Sequence, residues 1–191
     1  MPIARIPFQS PPPFDLPEAF AEPLTSLPVP EAAERALDLL GQLEAGDVMA
    51  FFAPTADGGV RVLAARAGSP LGELALAAWP AESAQAHFSE TPPVLAEAQV
   101  AQRPLLCMGQ LDEAEAPAWS SPLQAYFRAE GWGAQLGFLY VYPCQTAAGR
   151  PVGALWVHRA LTAGPLNHDQ PAIVAAVASL LCRDRLQEVA S

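Results

Sequence analysis

The stretch from Gln135 to Val189 constrains the fold more than any other part of the chain. Two apolar runs, Gln135 to Pro143 and Pro151 to Arg159, flank the turn-forming residues Gln145 to Arg150, and a short loop then leads into a third apolar run. The first two have the length and the β-branched and aromatic content of strands, which predicts an antiparallel hairpin. Their odd and even positions are both apolar, with Phe138, Tyr140 and Tyr142 at one parity and Leu139 and Val141 at the other. A strand apolar on both sides needs cover on both sides, so the hairpin predicts a sheet enclosed between helices. Asn167-His168-Asp169-Gln170 has the form of a capping box, with Asn167 as N-cap and Gln170 three residues on. In the helix beyond, Ile173, Val177, Leu180 and Leu181 fall on one face, while Val174, Ala178 and Leu181 widen it toward a second.

Upstream, Glu31 and Glu34 favour the positive end of a helix starting near Pro30. Ala33, Ala36, Leu37 and Leu40 form its stripe, and Gly46 is read as its end. Asp47 to Ala53 and Val60 to Arg66 read as a second hairpin, joined at Thr55–Gly59 by an Asp-Gly turn that supplies positive φ cheaply. Residues 67–118 carry weaker signals: a short helix over Leu71 to Trp79, breaks at Pro80, Pro92 and Pro93, and a strand over Pro104 to Met108. Irregular chain of that length inside a domain often covers a binding site. Ser121-Pro122 opens another helix, with Leu123, Tyr126 and Phe127 on one side and Gly131 and Gly133 at its end. The prolines of residues 1–30, including Pro11-Pro12-Pro13, Pro28 and Pro30, predict an extended or polyproline-like arm or linker, leaving 31–191 as the domain.

Charge narrows the partners. Twenty acidic residues face ten basic ones, all arginine, for a net charge of −10. That balance excludes a nucleic-acid backbone or an anionic membrane surface as the main partner. The most apolar stretch, Ala172 to Cys182, is shorter than the roughly 20 residues a membrane span needs. Met1 to Arg5 lacks the apolar core of a signal peptide. Cys107, Cys144 and Cys182 are odd in number and far apart in sequence, which is no disulfide framework and fits a reducing cytoplasm.

The order helix, hairpin, irregular region, helix, hairpin, long helix resembles the GAF domain family over roughly residues 31–189. Three stretches carry the resemblance. The first is Asp47-Val48-Met49-Ala50-Phe51-Phe52, with its Asp57-Gly58-Gly59 turn and Val60 to Arg66. The second is Leu139-Tyr140-Val141-Tyr142-Pro143 followed by Gly149 to His158, and the third is Leu166 to Gln170. The resemblance implies an α+β fold, with a central antiparallel sheet of about five to six strands and helices on both faces in α/β/α layers. It also implies a non-catalytic sensory or regulatory domain that binds a small effector. The implied homodimer forms through the helices near 31–45 and 168–189, the two with apolar surface to spare.

Residue alternation places Phe138, Tyr140 and Tyr142 on one strand face, and matching parity across the hairpin adds Ala154, Trp156 and His158. Phe138, Tyr140, Tyr142, Trp156 and His158 are therefore the expected ligand-binding set, combining aromatic area with polar tips beneath segment 67–134. The competing reading of the same residues is plain core, with the fold acting as a ligand-free scaffold for dimerisation or protein contacts. A third reading follows a family branch that reduces free methionine sulfoxide with thiols, using Cys107 and Cys144 across a pocket. The sequence that marks that branch is not found around these cysteines. His87, His158 and His168 pair with no other ligand at metal spacing, so no metal site is expected, and no motif names a cofactor or a catalytic centre.

Overall fold

A computed structural model of the chain describes residues 4–8, 14–78, 87–88, 93–110, 122–131, 135–145 and 150–182. The strands are β1 (Ala4–Pro7), β2 (Val48–Pro54), β3 (Val60–Ala67), β4 (His87–Phe88), β5 (Leu105–Gln110), β6 (Gln135–Gln145) and β7 (Pro151–Arg159). The helices are α1 (Glu18–Ser26), α2 (Val29–Gln42), α3 (Pro70–Ala78), α4 (Pro93–Ala101), α5 (Pro122–Ala129) and α6 (Gln170–Leu181). One sheet in the order β1-β5-β6-β7-β2-β3-β4 joins all seven strands, each neighbour antiparallel. The α+β expectation holds; the sheet has one strand more than the upper end of the expected range, and its two edges, β1 and β4, are short.

Alternation along the central strands builds a core on each side of the sheet. Met49, Phe51, Tyr140, Tyr142, Cys144, Leu155 and Val157 pack under α1, α2 and α6, where Leu24, Leu37, Leu40, Val174 and Val177 close the layer. Ala50, Phe52, Val62, Leu105, Cys107, Leu139, Val141, Ala154 and Trp156 face the other way, under Val94, Leu95 and Ala98 of α4. Beside them Val48 and Ala160 meet Ala75 of α3 and Leu123 and Phe127 of α5. Each fully buried large apolar side chain contributes roughly 1.5–3 kcal/mol, so the two layers carry the fold.

Local chemistry sets the boundaries, not always as expected. Helix α2 does not end at Gly46. Glu44 takes the left-handed conformation (φ 50°), and the Ala45 and Glu44 amides donate to the Leu40 and Gly41 carbonyls at 3.0 Å, a Schellman turn built on a non-glycine residue. Helix α3 is capped by a residue that carried no weight in the sequence: the Ser69 hydroxyl accepts from the Gly72 amide at 3.1 Å, with Pro70 in the first turn. Gly72 is required there, because a Cβ would lie 1.7 Å from the Asp47 carbonyl oxygen. The capping box of α6 forms only its reciprocal half. Gln170 Oε1 accepts from the Asn167 amide at 3.1 Å, but the positive φ of His168 (46°) delays the helix to Gln170.

The proline-rich N-terminus is not uniformly extended. β1 pairs with the outer edge of β5, where prolines are tolerated because no further strand needs their amide. Residues 18–26 then form α1 despite Pro23 in its interior, and Leu24 is buried between α2 and α6. The arm thus occupies part of the apolar surface that the sequence left to spare on those two helices.

Candidate functional site

The five expected ligand-binding residues do not share a face. The β6–β7 ladder sets Tyr142 opposite Leu155, Tyr140 opposite Val157 and Phe138 opposite Arg159, so Trp156 and His158 point to the other side of the sheet. The cause is the register shift between Cys144 and Gln145. Extended without it from the pair Gln145 and Pro151, the ladder would have matched Tyr142 with Ala154 and Tyr140 with Trp156. One added residue reverses the parity of everything beyond it.

Phe138, Tyr140 and Tyr142 accordingly belong to the layer under α1, α2 and α6. Phe8 of the arm packs edge-on against both tyrosines, with ring centroids 6.1 and 5.8 Å away. Tyr140 Oη accepts from the Leu166 amide at 3.0 Å, and Tyr142 Oη donates to the Pro171 carbonyl at 3.5 Å. Burial raises both phenols above their ordinary pKa, so they serve as neutral structural groups.

Trp156 and His158 remain together on the face toward α4. Trp156 stacks on Phe52 at 4.7 Å with the rings tilted by 44°. Its indole Nε1–H is buried in an apolar cluster and meets no hydrogen-bond acceptor among the described residues. His158 is buried two residues along, beside Val48 and Leu139 on the neighbouring strands, where the α4 cluster adjoins the α3–α5 cluster. Much of the segment expected to cover this face, including 79–86, 111–121 and the side chain of His87, lies outside the described residues.

Two other buried polar groups, Asp47 and Arg159, are engaged by hydrogen bonds. Asp47 accepts from the Ser69 hydroxyl and, at 2.7 Å, from the Ala160 amide, tying β2 to α3 and to the end of β7. Arg159 is saturated by carbonyls: Nη1 donates to Glu44 and Ala45 at 2.7 and 3.1 Å, Nη2 to Ala163 at 2.8 Å and Nε to Gly164 at 2.8 Å. Strand patterning gave no warning of this role, since Arg159 read as the polar end of a strand.

The thiols are arranged differently from the reductase reading. Cys107 lies in the layer toward α4 and Cys144 in the layer toward α6, so the sheet separates them and they cannot meet across a pocket. Burial pushes the Cys107 thiol up to about 12, Arg5 lowering and Glu97 raising it to lesser extents. Cys144 meets Cys182 instead. Both Sγ atoms donate to the Ala178 carbonyl, at 3.5 and 2.7 Å, and the hydrogen bond with Cys182, then burial, raises the Cys144 pKa. Among the described residues no group of three metal-ligating side chains converges, and no helix is long and apolar enough to cross a membrane.

No protein-family model matches the sequence, and no curated protein matches it. Solved structures do. A GAF domain/HD domain protein from Geobacter sulfurreducens superimposes with a TM-score of 0.55 at 17% identity, over 85% of this chain and 93% of that one. The GAF domain of a phosphoenolpyruvate-protein phosphotransferase from Coxiella burnetii gives 0.56 at 12%, over 86% and 87%. The phycocyanobilin-bound GAF domain of a cyanobacterial phytochrome gives 0.54 at 15%, over 88% and 93%. With its single antiparallel sheet between two helical layers, the chain is by fold a GAF-like domain.

Proposed function

We propose that the chain is a non-catalytic sensory or regulatory domain of the cytoplasm, with residues 1–30 as an arm on a ligand-binding body. The effector is a small, neutral, largely apolar molecule held on the β7 face toward α4. The observation that carries this reading is the buried Trp156 Nε1–H, which meets no acceptor among the described residues. An indole nitrogen can only donate, and leaving such a donor unpaired in an apolar interior costs about 1–3 kcal/mol. A carbonyl or ring nitrogen on a flat ligand would remove that cost, the apolar walls would accept its rings, and His158 stands next to the same position. Charge on the ligand is disfavoured by the apolar cluster. That a cyanobacterial neighbour of the same fold is bound to phycocyanobilin supports a small-molecule site in this architecture. Phe138, Tyr140 and Tyr142 contribute from the opposite layer by holding α6 to the sheet. Output passes through a homodimer formed by α2 and α6; the apolar character that α6 shows around its circumference supports this.

Native mass spectrometry of the purified protein, together with thermal-shift titration against neutral heteroaromatic carbonyl compounds (flavone, coumarin, lumichrome), tests the site. The expected result is an added non-covalent mass or a stabilising shift that Trp156→Phe abolishes while leaving the far-UV circular dichroism unchanged. A protein that carries nothing and responds to no member of the panel is the ligand-free scaffold instead.

A further inference from the structure

We infer that the arm, through its described parts 4–8 and 14–26, exchanges between two copies of the chain, so that each copy's Phe8 and Leu24 seat on the other's body. The inference deepens the homodimer proposed above and rests on it. Its ground is that the arm's contacts are contacts with the body. β1 adds to the free edge of β5 from Ala4 opposite Met108 to Pro7 opposite Leu105, and the Phe8 amide continues to the Pro104 carbonyl at 3.2 Å. Arg5 reaches Glu97 of α4 at 3.4 Å. Phe8 closes over Tyr140 and Tyr142, and Leu24, 1% exposed, fills the groove between α2 and α6. Helix α1 itself has one buried residue, a proline in its interior and no side-chain cap. It has no core of its own and gains its order from the groove.

A second copy offers the same edge, the same tyrosines and the same groove, so exchange keeps every one of these contacts and changes only the joint. That joint is short. Leu27 (φ −77°, ψ 155°) and Pro28 (φ −53°, ψ 150°) are the only residues between α1 and α2, and both are extended. Proline disfavours helical backbone at the residue before it, so Pro28 holds Leu27 extended and keeps the corner bent. The bend folds α1 back onto its own body. A straight α1–α2 helix would carry α1 away from its own groove and leave a neighbour's groove as its seat. Short joints of this kind are where exchange is governed.

In the native chain the tethered arm competes at an effective concentration of about a millimolar, so the exchanged dimer grows as protein concentration approaches that range. The test uses three full-length proteins and one reagent. Sedimentation velocity should show the native chain shifting from monomer to dimer over about 10 μM to 1 mM. The straightened joint, Leu27→Ala with Pro28→Ala, should be dimeric already at the lowest concentration, and four Gly/Ser residues inserted between Leu27 and Pro28 should restore the monomer. Chains carrying Ala19→Cys and Leu39→Cys separately, two positions that line the same α1–α2 groove, are mixed in the straightened background and treated with a short bismaleimide. A two-chain product joining the different variants supports exchange, with the double variant in the native joint as the one-chain control for reach. A dimer without that cross-linked product overturns the exchange while leaving the homodimer intact. Monomer throughout, with the straightened joint included, overturns both.

Discussion

Replacing Arg159 tests whether a guanidinium clasp closes the end of the sheet. Its hydrogen bonds join two parts of the chain: Glu44 and Ala45, just past the C-terminus of α2, and Ala163 and Gly164 in the turn after β7. The planar fork spans both clusters at once, and a Lys ammonium, a single point, serves one. Hydrogen bonds from a charged donor are worth about 1.5–3 kcal/mol each. Ala163 and Glu44 are exposed and recover water, whereas Ala45 is buried and does not. Arg159→Lys is therefore expected to lose about 2 kcal/mol and Arg159→Met about 4 kcal/mol. Against a total of about 5–15 kcal/mol, the second change brings the domain near its unfolding threshold. Urea denaturation followed by circular dichroism reads both values, and an unchanged m-value shows that the unfolded ensemble is the same. If Arg159→Lys matches the native protein, charge alone suffices and the fork argument fails. If Arg159→Met is within about 1 kcal/mol of native, the carbonyls are not held by this residue at all.

Two further outcomes follow from the buried hydroxyl and thiol groups. Tyr140→Phe removes the acceptor of the Leu166 amide and should cost about 1–3 kcal/mol, whereas Tyr142→Phe, whose bond to Pro171 is a long 3.5 Å, should cost under about 1 kcal/mol; equal losses in urea melts would contradict the ordering. The Cys107 thiol, raised from 9.0 to about 12, stays protonated when folded and ionises when unfolded, so its contribution is complete below pH 9 and is lost as pH climbs toward about 12, at about 1.4 kcal/mol per pH unit. The native chain should accordingly lose stability more steeply above pH 9 than Cys107→Ala does, and Cys107 should resist a thiol-disulfide reagent at pH 8 until urea unfolds the domain.

The two layers were legible in the sequence because apolar residues at both parities of Leu139 to Val157 can be buried only by cover on both sides. The hairpins and the existence of the helices at 29–42, 70–78, 122–129 and 170–181 were legible for the same reason, since period and turn residues are local properties, but the end of α2 and the start of α6, shifted by the positive φ of Glu44 and His168, were not. Which side chain faces which layer was not. A bulge at Cys144 and Gln145 leaves little trace in composition, yet it moves Trp156 and His158 to the face opposite Tyr140 and Tyr142. The seat of α1 on α2 and α6, the meeting of Cys144 with Cys182 and the carbonyl cage of Arg159 likewise join residues remote in sequence. Local patterning determined that this chain must enclose a sheet. Only the tertiary structure decided that Trp156 would be left with a buried N–H and nothing in its own described chain to receive it, because that depends on register, and register is settled by the packing of the whole sheet.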